Sequence, residues 1–309
     1  MEEIKLTGKK IAFIGGGAMA EAIIKGILGA GLVKAEDIFV GNRTQKRCDY
    51  LNEKYGIKAM TCNKTAVQEA DIVIFAVKPQ VAPVAIVPEV IACMKKDAWG
   101  LSIMGSVSIE QLHAYAPGFA VVRTMPNTPL ACGEGMTAIC CDENATEDMK
   151  AMAEEIFGCC GEVEFVDEKA IEAITAISGC GPGYAFVIID ALADAGVRAG
   201  LPRKLAIKLA AQTLAGSGKL CIKTGEHPAV LRDQVTSPGG TTIAGIHALE
   251  NHGVRGAFYD AVMAVLARNK ELQEEQTKLL KEQEEQRRLY GETEEYYEEP
   301  KEPEYEYYI

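Results

Sequence analysis

Over its first half the chain alternates short, wholly apolar runs with longer segments of helical periodicity. Residues 10–14 (Lys-Ile-Ala-Phe-Ile) lead straight into glycines, which predicts a short strand buried on both faces. Apolar spacing then predicts a helix over residues 18–30. Further strands are expected at residues 37–41, 71–77, 99–104, 120–125, 136–141 and 163–166, with helical patterns such as 45–55 and 146–157 between most of them. That rhythm predicts an α/β fold with a mostly parallel sheet and helices on both faces.

After residue 167 the strand signals stop. Residues 171–177, 183–196, 203–223 and 254–276 all carry helical patterns rich in Ala, Leu and Ile, with Gly and Pro at the joints. Pro182 and Pro202 fall at expected helix starts, where a missing N–H costs nothing. These helices carry apolar residues on more than one face, which predicts an all-α domain that buries itself against another subunit. The tail from residue 282 mixes Glu with Tyr, Pro and Gln and lacks an apolar stripe, so disorder is expected there. Three parts follow: a sheet domain over 1–167, a helical domain over 168–276, and an acidic Tyr-rich tail over 277–309.

Charge sharpens this division. Of the net −12, the residues from 271 onward hold 14 glutamates against five lysines or arginines, leaving the body nearly neutral. Solvated charge is the ordinary reading of such a tail, and a binding tail the sharper one. No basic stripe marks a nucleic-acid partner. No run reaches the roughly 18 uninterrupted apolar residues of a membrane span, and the first ten residues are polar, so a cytoplasmic protein with no membrane partner is expected. The ten cysteines include no Cys-x-x-Cys and share no zinc spacing with the four histidines. They are expected to be reduced and mostly buried, with no metal site.

Candidate chemistry begins where the first strand ends. Gly15-Gly16-Gly17-Ala18-Met19-Ala20 is a G-x-G-x-x-A dinucleotide fingerprint placed between strand and helix. Gly15 serves the tight turn, Gly17 admits a pyrophosphate, and Ala20 keeps helix and strand close. The helix N-terminus then faces the diphosphate with unpaired N–H groups. At the end of the second strand stand Asn42, Arg43 and Thr44, where NAD enzymes place an acid. Arg43 can pair with a 2′-phosphate and its neighbours can donate to it, so NADPH is the expected cofactor and NADH the weaker alternative. Ala76, Val77, Lys78 and Pro79 end a later strand at the expected switch point of the sheet. Lys78 either faces the cofactor or caps the following helix, and composition does not separate these readings.

The densest signal lies in the helical half: Val235-Thr236-Ser237-Pro238-Gly239-Gly240-Thr241-Thr242-Ile243-Ala244-Gly245. Proline and two glycines predict a turn with outward amides, and a helix starting at the threonines suits a small carboxylate. A plain helix cap is the alternative. This stretch, with Leu249-Glu250 and residues 253–258 (Gly-Val-Arg-Gly-Ala-Phe), closely resembles the signature of pyrroline-5-carboxylate reductases. The resemblance extends in order through residues 15–20, Asn63, residues 76–79, Met125-Pro126-Asn127-Thr128-Pro129 and Ser178-Gly179-Cys180-Gly181-Pro182, covering roughly residues 9 to 275. Cys180 stands where serine is common, and the tail has no counterpart.

The resemblance implies a Rossmann domain followed by an all-α dimerisation domain, a homodimer at least, and rings of dimers as the larger assembly. It implies reduction of the cyclic imine 1-pyrroline-5-carboxylate to L-proline, the last step of proline biosynthesis. Gly15, Gly17, Ala18, Met19, Ala20, Asn42, Arg43, Thr44, Asn63, Ala76, Val77, Lys78, Pro79 and Asn127 are then expected on the cofactor side. Val235, Ser237, Gly239, Gly240, Thr241 and Thr242 are expected on the substrate side, with the loop contributed by the neighbouring subunit. Thr242 is the candidate catalytic residue, as proton source or as clamp for the imine nitrogen. A 3-hydroxyacid dehydrogenase is the enzymatic rival, but residues 180–189 lack the lysine such enzymes carry there. A non-catalytic NADPH-binding regulator is the rival of another class, and the intact loop argues against it.

Overall fold

The computed structural model describes residues 5–290. Eight strands build one sheet: β1 (Ile11–Ile14), β2 (Ile38–Gly41), β3 (Lys58–Met60), β4 (Ile72–Phe75), β5 (Trp99–Ser102), β6 (Val121–Met125), β7 (Gly135–Cys141) and β8 (Gly161–Phe165). Their order is β3-β2-β1-β4-β5-β6-β7-β8. All neighbours are parallel except β6 and β7, so the last two strands run against the first six. The expected strands are all present, and the three-residue β3 was not anticipated because Lys58-Ala59-Met60 has no apolar run to mark it.

The helices between them are α1 (Ala18–Gly29), α2 (Gln45–Tyr55), α3 (Asn63–Val67), α4 (Ala82–Ala85), α5 (Pro88–Ile91), α6 (Ile109–Tyr115) and α7 (Glu147–Gly158). Alternate residues of β1 point to opposite cores. Ile11 and Phe13 pack with Ile23, Ile27 and Phe157, while Ala12 and Ile14 pack with Val67, Val73 and Leu112. Burial on both faces is why these strands read as unbroken apolar runs.

Beyond β8 the chain is helical: α8 (Glu168–Ile174), α9 (Gly181–Arg198), α10 (Arg203–Thr224), α11 (Pro228–Gln234), α12 (Thr241–Asn251) and α13 (Val254–Tyr290). The buried Arg123 of β6 donates to Glu168 at 2.8 Å, and Glu168 also accepts the Ile109 N–H at 2.7 Å, which ties α8 to the sheet. Among the described residues one helical run, Glu168–Arg198, is long and apolar enough to cross a membrane by length and composition, and little of it is covered within the chain. Val187 is 70% exposed, and Ile177, Phe186 and Leu220 are also exposed.

Two expectations need correction. The helix α13 crosses residue 277 without a break and runs to Tyr290, so a disordered tail does not start at 277 or at 282. Its inner seam is Asn269, Leu272, Gln273, Gln276 and Leu280, one face of the helix but mostly polar, and therefore silent in a hydrophobic pattern. Asn269 meets the Ser106 hydroxyl at 3.3 Å, Gln273 donates to Glu172 at 2.7 Å, Gln111 donates to Thr277 at 3.2 Å, and Leu280 packs on the sheet's core. The rest of the expected tail, residues 291–309, lies outside the described residues. The ten thiols are free, as expected, but three are buried, five half-buried and two exposed. Cys180 is the half-buried N-cap of α9, and the half-buried Cys221 lies on α10, most of whose residues are exposed.

Candidate active site

The sheet order reverses between β1 and β4, and the carboxyl ends of both strands open there. Gly15 N–H donates to Gly41 O at 2.8 Å and Ala76 N–H to Ile14 O at 2.9 Å, which fixes three strand ends around one crevice. Gly15 has φ +103°, and a Cβ on it would lie 2.7 Å from Ala76 O. Glycine is needed at this turn for conformation and for space. Gly17 differs, because it is exposed, has φ −71° and has nothing within 4 Å of where a Cβ would stand. It is the N-cap of α1 and no side chain caps that helix. The amides of Ala18 and Met19 therefore head an uncapped helix that opens on the crevice. Ala20 faces inward and is buried against the sheet, and Met19 packs on the same core.

Around this turn the expected residues divide. Asn42 Oδ1 accepts the Gly16 N–H at 3.2 Å, and its Nδ2 reaches Thr44 at 3.4 Å, so Asn42 braces the glycine turn. Arg43 is exposed and its guanidinium has no partner among the described residues. Thr44 is the N-cap of α2, its side chain making no cap hydrogen bond. Asn63 Nδ2 donates to Ala85 O at 3.1 Å, and its Oδ1 sits where a side chain on Gly41 would otherwise stand. Ala76 and Val77 are half-buried at the crevice edge, and the exposed Lys78 precedes the Pro79 turn. Asn127 is buried, with Nδ2 donating to Ser178 O at 3.0 Å and Oδ1 accepting the Met136 N–H at 2.9 Å. Both ends of its amide are engaged by protein, so this residue joins the sheet domain to the helical one.

Two residues that the sequence reading does not single out are central to the turn. Arg47 Nε donates to Gly16 O at 2.7 Å, and Arg47 pairs with Glu21 at 2.5 Å. Glu21 also accepts from Tyr55 at 2.7 Å and from Lys54 and Tyr50 at 3.0 Å each. Burial works to raise the Glu21 pKa, but hydrogen bonds from Tyr55, Lys54 and Arg47 outweigh it and hold it at about 2. The available signal was the spacing Arg47, Tyr50, Lys54, which places all three on one face of α2.

The second loop has its own geometry. Gly240 N–H donates to Ser237 O at 3.0 Å, with Pro238 second and the left-handed Gly239 (φ +68°) third, the pattern of a type II turn. Gly240 is the N-cap of α12 without a side-chain cap. Thr241 and Thr242 are exposed in the first turn, and neither hydroxyl has a partner among the described residues. Val235 is 64% exposed. Among the described residues no hydrogen bond or ion pair joins residues 235–245 to residues 5–167. Each of the two segments thus combines a glycine turn with an uncapped helix, and the threonine loop belongs to a helical region that exposes large apolar side chains.

The chain is similar to known proteins over most of its length. Residues 168–272 match the family described as pyrroline-5-carboxylate reductase dimerisation, and residues 10–96 match NADP oxidoreductase, coenzyme F420-dependent. The chain is 40% identical over 263 residues to a pyrroline-5-carboxylate reductase of Arabidopsis thaliana, covering 85% of this chain and 95% of that one. It is 42% identical over 266 residues to the Synechocystis protein of the same name, covering 85% and 98%. Among solved structures, Plasmodium falciparum pyrroline carboxylate reductase with NADP bound superposes with a TM-score of 0.78 at 31% identity, covering 86% of this chain and 98% of that one. The Coxiella burnetii pyrroline-5-carboxylate reductase does so at 0.78 and 35%, covering 85% and 98%.

Proposed function

Because the chain belongs to the pyrroline-5-carboxylate reductase family, we propose that its glycine turn and its threonine loop are two halves of one active site, completed across subunits. The protein is an NADPH-dependent oxidoreductase acting on a carbon–nitrogen double bond, and it reduces 1-pyrroline-5-carboxylate to L-proline. The residues present suit the cofactor. The space over Gly17 and the uncapped α1 accept a diphosphate. Arg43, whose guanidinium has no partner among the described residues, can donate to the 2′-phosphate that distinguishes NADPH. When bound, NADPH supplies the hydride for the imine carbon.

The chain's own contribution is positional. The amides heading α12 hold the substrate carboxylate after the turn at residues 237–240, and Val235 shapes the pocket wall. The Thr242 hydroxyl, which has no partner among the described residues, donates to the imine nitrogen as it takes up its proton. A protonated imine is already electrophilic, so orientation supplies most of the required rate. The carrying observation is the exposed loop, which among the described residues makes no hydrogen bond or ion pair to the cofactor domain of its own chain.

The chain is a homo-oligomer, and we read the dimer as its smallest active unit and a ring of dimers as the larger form. The apolar run Glu168–Arg198 lies wholly in the dimerisation match, so we assign its exposed face to a partner subunit and not to a membrane. We place the enzyme in the cytoplasm, without nucleic-acid partners. Purified protein mixed with NADPH and pyrroline-5-carboxylate should consume both and release L-proline in equal amounts. NADPH binding without proline formation would leave a sensor and refute the enzyme.

A further inference from the structure

We propose that Arg47, clamped by Glu21, is a positioning residue for the cofactor turn, one that aims the diphosphate-binding amides without itself touching the cofactor. This inference rests on the reading of residues 15–20 as the dinucleotide cradle.

A backbone turn presents amides to an anion only when its carbonyls are directed elsewhere. In this turn the carbonyls have an assigned holder. Arg47 Nε donates to Gly16 O at 2.7 Å, and a terminal nitrogen lies 3.4 Å from Gly17 O. That same nitrogen is gripped by Glu21 Oε2 at 2.5 Å. The Gly16 N–H is taken by Asn42, which leaves the amides that follow it to face the crevice. A planar guanidinium makes these contacts together, and an ammonium has no such fork.

Glu21 serves as the anchor. Its second oxygen accepts from Tyr55, Lys54 and Tyr50, and the guanidinium of Arg47 lies 5.0 Å from the centre of the Tyr50 ring. The anchor sits on the first turn of α1, close to where the diphosphate is read to bind. A bare carboxylate there would repel an anionic ligand, so the geometry makes opposite predictions for two roles. If Glu21 acts only as a charge, Glu21→Gln tightens dinucleotide binding. If it acts by holding Arg47 on the Gly16 carbonyl, the same change weakens binding.

Calorimetric titration of the full-length oligomer with NADPH and with NADH separates these roles, with thermal unfolding run beside it. Arg47→Ala should raise Kd by about tenfold for both cofactors, since the diphosphate is common to them. Arg47→Lys should recover only part of that loss. Glu21→Gln should weaken both cofactors, and the double variant should be no worse than Arg47→Ala, as expected for residues acting as one unit. Unchanged affinities in Arg47→Ala would overturn the inference. So would a loss confined to NADPH, which would make Arg47 a direct phosphate ligand, or tighter binding in Glu21→Gln. Should Arg47→Ala fail to fold, Glu21→Gln and Arg47→Lys decide alone. Wild-type protein that binds neither dinucleotide would overturn the cradle reading, and this inference with it.

Discussion

Substitution of two glycines in one fingerprint should fail in different ways. In Gly15→Ala the new methyl meets two difficulties at once. The residue has φ +103°, and the methyl lies 2.7 Å from Ala76 O and 2.9 Å from Ala76 C. An alanine held in so sparse a backbone region costs about 1–3 kcal/mol. The clash is with backbone, so β1 and β4 must part at their ends, and overpacking of this kind adds about 1–3 kcal/mol. A loss of roughly 2–6 kcal/mol is expected against the roughly 5–15 kcal/mol that holds a domain together. In Gly17→Ala the methyl points into open space from φ −71°, and only the weaker N-cap preference of alanine is felt, at most about 1 kcal/mol. That open space is where the cofactor is read to approach, so NADPH affinity should fall by at least about tenfold, one displaced charge-assisted contact. Urea unfolding followed through Trp99, the single tryptophan and only 2% exposed, reports the first effect. NADPH titration reports the second. A wild-type unfolding midpoint in Gly15→Ala, or wild-type NADPH affinity in Gly17→Ala, would refute the division of labour.

Arg43→Ala should weaken NADPH by about ten- to hundredfold, the range for a charge-assisted contact, and leave NADH unchanged; equal losses would remove Arg43 from the phosphate site. The Glu21 network should leave a signature in stability against pH. The folded pKa of about 2 lies below the reference value of 4.5, so its contribution is complete above pH 4.5 and is lost as pH falls toward 2. Urea midpoints of wild type and Glu21→Gln should therefore converge over that window, and curves that stay parallel would deny the network its role. A chain ending at Tyr290 should keep wild-type stability and activity. A chain ending at Lys270 loses the Gln273–Glu172 and Gln111–Thr277 contacts and Leu280, so its Tm should fall by several degrees; an unchanged Tm would show that the end of α13 carries no load.

Much of this architecture was legible because it rests on local rules. Apolar runs buried on both faces marked the strands, and the glycine turn after β1 marked the crevice. The pattern Pro238-Gly239-Gly240 announced a turn before a helix that starts at the threonines. What escaped depends on distance in sequence. Arg47 reaches Gly16 across 31 positions, and Asn127 reaches Ser178 across 51, and no periodicity records such pairs. The end of α13 escaped for another reason. Its Glu, Lys, Gln and Arg are good helix formers, but its inner seam is mostly polar, so composition resembled a solvated tail. Asn42 shows the remaining limit, since its type suited a phosphate contact while its geometry braces the turn.

The claim that one site draws on two chains can be tested by complementation. A Gly17→Val chain lacks the cofactor half and a Thr242→Val chain lacks the substrate half, and each alone should reduce pyrroline-5-carboxylate only at background rate. When the two are unfolded together and reassembled in equal amounts, half of the dimers are hybrids, and crossed sites leave each hybrid with one intact site and one doubly damaged site. Activity should then return to about a quarter of the wild-type value, as two-fold symmetry requires. No recovery, with hybrids shown to form by mass, would place both halves on the same chain and contradict the account.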